Sequence, residues 1–264
     1  MLISKALVEV VILASETKEF LHVLLNICES LLKSGAEISR VEETARRMGD
    51  AFGAERTNVF AITSSIVLTL EMSDGEVFTE TRRISSNSAT DFRYLEALNS
   101  LSREYCAERF EVSELKRRYK AAGSATAKEG LVFAGSALAA GGFTVFFGGT
   151  VWDALVSAIV ALFICAFQKT SPYFCPNSIV AKFLCSLISG VIICAVCKIL
   201  PSLQYDKIMI GDIMLLIPGI ALTNSISNII VGDTVSGLTR LTESLVLAAA
   251  LAGGFMLAIF IIGG

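Results

Sequence analysis

The chain has 264 residues, 53% of them hydrophobic and 18% charged, with a formal net charge of -3. Residues 1–128 hold 17 Lys+Arg and 19 Asp+Glu, whereas residues 129–264 hold only 5 and 6, so the polar and apolar parts of the chain are separate. That split marks the second part as a membrane domain and excludes a single soluble globule, a secreted disulfide scaffold and a nucleic-acid-binding domain, since no basic field exists in either part.

The start of the chain, Ala6 to Ala14, is apolar apart from Glu9. The run is short, a charge interrupts it and no small-residue cleavage pattern follows, so it is predicted to be an extra N-terminal helix rather than a signal peptide. From Thr17 to Ser34, Phe20, Leu24, Ile27 and Leu31 recur at helical spacing, and Gly35 supplies a stop. His22 falls on the polar face of that helix. A second helix carries the stripe Ile38, Val41, Ala45, Met48 and Phe52, with Glu42→Arg46 and Glu43→Arg47 as i,i+4 pairs, and ends at Gly53.

The period then changes to two. Thr57 to Ile62, the face Ile66, Leu68, Leu70 and Met72, and Val77 to Ile84 read as strands, with Asp74-Gly75 as a hairpin turn. Ser88 or Thr90 is expected to cap a helix bearing Phe92, Leu95, Leu98, Leu101 and Tyr105, and Val112–Tyr119 continues as a short one. Residues 1–128 are therefore expected to form a cytoplasmic α/β domain.

Residues 129–264 read as a helical membrane domain of about five spans of the ~20 residues that hydrocarbon requires. They are placed at Leu131–Gly148, Thr150–Phe167, Ser178–Leu200, Ile208–Val231 and Leu245–Ile262. The basic cluster Lys116, Arg117, Arg118, Lys120 and Lys128 precedes the first span, which sets the N-terminus in the cytoplasm and the C-terminus outside. Lys169, Lys182 and Arg240 then fall inside, and Lys198 and Lys207 near an outer loop. The same basic cluster also suits contact with anionic membrane lipid.

Cysteine and histidine leave little chemistry to assign. Cys165, Cys175, Cys185, Cys194 and Cys197 lie in or beside apolar runs, where Cys194-x-x-Cys197 reads as small hydrophobes. One histidine cannot build a His-rich zinc site, and no Ser/His/Asp set or phosphate loop is present. No catalytic residue, metal or cofactor is expected.

The fourth span is the informative one. Pro218-Gly219 breaks it and Thr223, Asn224, Ser227 and Asn228 follow, the last three at i, i+3, i+4 on one face. Two readings stand: a kinked helix whose amides glue neighbours together, or a stripe lining a solute path beside a half-helix N-terminus. Asp233 lies in the turn-like stretch Val231 to Gly237. Asp212 and Asp233 are candidates for proton coupling, and Asp153, beside Trp152, reads as interfacial. The remaining prolines, Pro172, Pro176 and Pro201, are placed in connections. On the last span, Ala249 and Gly253, and Ala250 and Gly254, are small-xxx-small pairs suited to intrachain packing or to a partner.

Taken in order, Gly35-Ala36-Glu37-x-x-Arg40-Val41-Glu42-x-Thr44, Asp74-Gly75 with Thr81-Arg82-Arg83, Ile217-Pro218-Gly219 to Asn224, and Gly232-Asp233 to Gly237 resemble the threonine/serine exporter (ThrE) family over nearly the whole chain. More closely, the layout resembles the larger, five-span subunit of its two-component bacterial branch, whose partner is a separate small membrane protein. The resemblance implies a multi-pass exporter subunit of the bacterial inner membrane for small carboxylate-bearing solutes, either threonine and serine or dicarboxylates such as succinate. It implies a small multi-span partner or a homo-oligomer, and it carries the family's soluble motif onto Gly35, Glu37, Arg40, Glu42 and Thr44. From the residues alone those positions read equally as a solvated helix face or as a cytoplasmic gate. The competing class is a membrane-anchored sensor that binds a ligand in its cytoplasmic domain.

Overall fold

The computed structural model describes residues 2–84, 91–123 and 129–262, with side chains from residue 14 on. The expected caps Ser88 and Thr90, Lys128 of the basic cluster, and Gly264 lie outside the described residues. The chain is mostly helical and divides into two compact units, one made of Met1–Thr126 with Thr223–Arg240, the other of Ala127–Leu222 with Leu241–Gly264.

In the first unit, residues 2–33 contain neither Gly nor Pro, and the two helices expected there are one, α1 (Leu2–Lys33). Nothing in that stretch removes a backbone donor or favours a left-handed residue, so no break forms. Gly35, at φ 97°, ends the turn that follows it. The second helix, α2 (Ile38–Phe52), buries Ile38, Val41, Ala45 and Met48 as its stripe requires. Three antiparallel strands follow, β1 (Arg56–Ile62), β2 (Ser65–Glu71) and β3 (Val77–Arg83), in the order β1-β2-β3 with Ile62 opposite Ser65 and Glu71 opposite Val77. Their inner face is Ile66, Leu68 and Leu70, all fully buried. Each such side chain contributes about 2 kcal/mol of burial.

Helix α2 lies very close to β1. A Cβ added at Gly49 would stand 2.2 Å from Thr57 Oγ1, so any larger residue forces the two apart. The core is completed by Phe20, which stacks on Phe52 with ring centroids 4.0 Å apart, and by α3 (Phe92–Glu108) and α4 (Val112–Ala122). The cap of α3 is Asp91, whose carboxylate accepts from Arg93 N and Tyr94 N at 3.0 and 3.1 Å. Phe92, expected on the buried stripe, is exposed, Tyr94 and Leu95 pack partly buried against the core, and full burial starts at Leu98. His22, expected on a solvated face, meets Glu80 Oε1 of β3 at 3.0 Å.

In the second unit, α5 (Glu129–Phe146) and α6 (Val151–Phe174) form the expected tight hairpin, with Gly148 at φ 90° in the turn. One placement differs from expectation. Pro172 lies inside the last turn of α6, where the carbonyl it leaves without an N–H, that of Gln168, accepts instead from Ser171 Oγ at 3.1 Å. Asp153, expected near the interface beside Trp152, is fully buried within the unit: it closes a capping box with Thr150 and accepts from Gln204 N at 2.9 Å, so backbone donors replace water around its carboxylate.

Then come α7 (Ser178–Ile199), α8 (Tyr205–Leu216), α9 (Gly219–Val231) and α10 (Thr234–Ile262). Helices α8 and α9 are bent by 55° at Ile217-Pro218. Among the described residues, four helices (α5, α6, α7 and α10) are long and apolar enough to cross a membrane, or up to five spans if the bent pair is one. Helix α10 starts at Thr234, ahead of the expected span Leu245–Ile262, and Ser236 Oγ of its first turn donates to Asp233 at 3.0 Å. The outer faces of these helices are apolar, with Leu138, Phe146, Trp152, Ile159, Met256 and Phe260 all exposed, as a surface that meets lipid must be.

Candidate functional site

The turn between α1 and α2 is built by its glycine. Ala36 N donates to Leu31 O at 3.0 Å and Gly35 N to Leu32 O at 3.2 Å, the paired bonds of a Schellman stop. Those bonds use the carbonyls of α1 and leave the carbonyl of Gly35 itself to a new donor. That donor is Asn224 Nδ2 of α9, at 3.1 Å. Three residues further along the same face, Ser227 Oγ donates to Glu37 Oε1 at 3.4 Å.

Two motifs that the chain separates by almost its whole length therefore form one polar site. Glu37 stands at the N-cap position of α2 but makes no side-chain cap bond, so its carboxylate is turned to Ser227, with Arg40 Nε 3.8 Å away. Asn228, next on the stripe, is buried, and its Nδ2 has no partner among the described residues. Behind this face, Gly237 brings the start of α10 against α9: a Cβ there would lie 2.8 Å from Ser225 O. The site thus combines a carboxylate and a spare amide donor.

Other expected residues are placed elsewhere. Glu42 accepts from Ala61 N at 3.1 Å and so closes the open edge of β1, besides pairing with Arg46. Arg40 projects outward and is 78% exposed; Thr44 is half-buried on α2. Thr223 is exposed on α9. Pro218 and Gly219 form the bend itself. The Asp233 carboxylate accepts from Ser236 Oγ at the start of α10.

The membrane unit holds a second polar group of residues. Asp212 of α8 is fully buried and accepts from Ser157 Oγ of α6 at 3.0 Å, while its Oδ2 has no partner among the described residues. Gly211 makes the space: a Cβ there would stand 2.0 Å from Thr144 Oγ1 of α5 and 3.1 Å from Ser157 Oγ. On α7, Lys182 Nζ donates to Leu216 O at 3.2 Å, at the end of α8 where the bend has removed the next helical donor. Sequence reasoning used Lys182 only to orient the spans; a lone cation four residues into an apolar helix was the signal for more. Ser157 gave a weaker signal, being one of several small polar residues in such helices.

A model of the ThrE family, described as "Putative threonine/serine exporter", matches residues 22–262. No curated protein and no solved structure matches the chain. The matched stretch takes in both the Gly35–Glu37 turn and the Asn224–Asn228 face, and the family is one of transporters rather than enzymes. On that match the chain belongs to the threonine/serine exporter (ThrE) family.

Proposed function

We propose that the chain is one subunit of a secondary exporter that carries threonine or serine out across the bacterial inner membrane, with residues 1–128 in the cytoplasm. The observation that carries the reading is the meeting of Asn224 with Gly35 at 3.1 Å and of Ser227 with Glu37 at 3.4 Å. It makes the family's soluble motif and the polar stripe after the Pro218-Gly219 break one gate. An amino acid offers that gate an ammonium for Glu37 and a carboxylate for the spare Asn228 amide. A dicarboxylate such as succinate would instead set a second negative charge near Glu37, which disfavours it.

Release at the gate would come from the bend: Gly219 and Pro218 let α9 swing without breaking the helical bonds of α8. Asp212, a buried carboxylate with a spare oxygen in the membrane unit, is the better placed of the two candidates for coupling export to a cation; the Asp233 carboxylate is engaged by Ser236 Oγ. The small-residue face of α10 would dock a small multi-span partner or a second copy, since a single broken helix supplies only half of a paired transporter site.

The test is efflux of labelled threonine and serine from proteoliposomes holding this chain with and without the small membrane partner. Saturable threonine flux that succinate does not compete supports the reading. Flux of succinate alone, or specific ligand binding without any flux in either preparation, overturns it.

A further inference from the structure

Helix α7 carries two charged side chains, Lys182 and Lys198, and Lys198 sits in its last turn. Lys182 lies early in the helix. It is turned inward to the carbonyl of Leu216, a residue only 1% exposed. An ammonium has three donors. One is used on this neutral acceptor, and no carboxylate lies within ion-pair distance among the described residues. A cation at the end of α8 is favoured by that helix's dipole, but the dipole is a fraction of a charge and leaves most of the ammonium uncompensated.

The amine lines a cavity of about 140 Å³ together with Gln168, Ser171, Ser178, Cys185 and Leu216. At about 30 Å³ for each water, the space equals roughly five waters, enough for a carboxylate on a few carbons. Its walls add the Ser178 hydroxyl and the Gln168 amide to the single positive charge, while the Ser171 hydroxyl is committed to Gln168 O. Asn177 already accepts from Ile179 N and Val180 N, so the attraction rests on Lys182 and not on the start of the helix. Gln168 also lines a second cavity of about 350 Å³ in the same unit.

We infer that Lys182, with Gln168 and Ser178, is a binding site for the carboxylate of a small solute, formed between α6, α7 and the broken end of α8. The inference rests on the exporter reading and adds to the gate at Asn228 a second place that holds the transported acid. An arriving carboxylate takes the ammonium from Leu216 O, and this ties occupancy to the bend that follows at Pro218.

The experiment uses the full chain in detergent, with acetate against acetamide and threonine against threoninamide at constant ionic strength. Saturable thermal stabilisation by the acids and not the amides is expected, lost in Lys182→Met, kept in Lys182→Arg, with threonine flux in Lys182→Met down about tenfold. No acid-over-amide preference in the wild type, or the same preference in a well-folded Lys182→Met, overturns the site. If Lys182→Met does not survive purification, Lys182→Gln and the wild-type preference decide. Loss of the acetate effect in phosphatidylglycerol nanodiscs also overturns it, by assigning the amine to a lipid headgroup. A wild type that answers to acetate through Lys182 but moves no threonine keeps the site and sinks the exporter reading; normal flux in Lys182→Met does the reverse.

Discussion

Asn224 donates its side-chain amide to the backbone carbonyl of Gly35 across 189 residues of sequence, at 3.1 Å. An asparagine that would otherwise be an unsatisfied polar group in an apolar stretch thereby closes the turn between α1 and α2. Replacing it with Leu removes the donor and strands the carbonyl, at a cost of about 1 kcal/mol. Asn224→Leu should therefore insert normally, since the span becomes more apolar, and lose export. Wild-type efflux from a well-inserted variant would return this stripe to a packing role.

Glu37 should discriminate among solutes. Glu37→Gln keeps the acceptor for Ser227 but removes the charge offered to an ammonium, so KM for threonine should rise about tenfold, the factor given by 1.4 kcal/mol, with little change in kcat. Inhibition by succinate should strengthen in the same variant. An unchanged KM in competition assays would remove Glu37 from the solute path.

Glu29 sets the acid limit of the first unit. Burial pushes its carboxyl up, but hydrogen bonds from Lys33 and Arg82, with their charges, outweigh this and hold it below the ordinary 4.5. A carboxylate with a depressed folded value contributes stability that is present above its unfolded value and lost as pH falls through the folded one. Thermal unfolding should thus show Tm falling as pH drops below 4.5, with a shallower fall in Glu29→Gln. Parallel pH curves for the two proteins would contradict the assignment.

Gly254 and Gly253 are neighbours with different duties. A Cβ at Gly254 would lie 2.0 Å from Ser186 Oγ and 2.6 Å from Phe183 O, so Gly254→Ala overpacks the contact with α7 and costs about 1–3 kcal/mol. At Gly253 the nearest atom, Phe183 Cε2, is 3.7 Å away, and Gly253→Ala should leave Tm unchanged. Gly253→Leu is expected to abolish flux only in the preparation that includes the small partner. If it instead lowers Tm as much as Gly254→Ala does, the face belongs to this chain's own packing.

Orientation can be read with reporter fusions. The basic cluster before α5 predicts that residues 1–128 stay inside, and a bent pair that crosses once puts the C-terminus outside. A phosphatase fused at the C-terminus should be active and one fused after Lys169 inactive. The opposite result at the C-terminus means that α8 and α9 enter and leave on one side.

Much of this molecule follows from the order of its residues. The charge split, the apolar stripes of α2 and the period-two faces of β2 are local patterns, and burial is their direct consequence, because a stripe that cannot be solvated has to find a core. Asp74-Gly75 and Gly35 act just as locally, through backbone conformations that few residues share. Lipid-facing helices are legible for the same reason. What no local pattern contains is which distant groups satisfy one another. The carbonyl of Gly35 needs a donor, yet nothing near it in sequence says that Asn224 supplies one, nor that Thr223–Arg240 groups with the N-terminal unit. Lys182 and Leu216, and Ser157 and Asp212, are likewise pairs made by packing. Buried polar groups must be matched, but the sequence states only the demand, and the tertiary structure selects the partner.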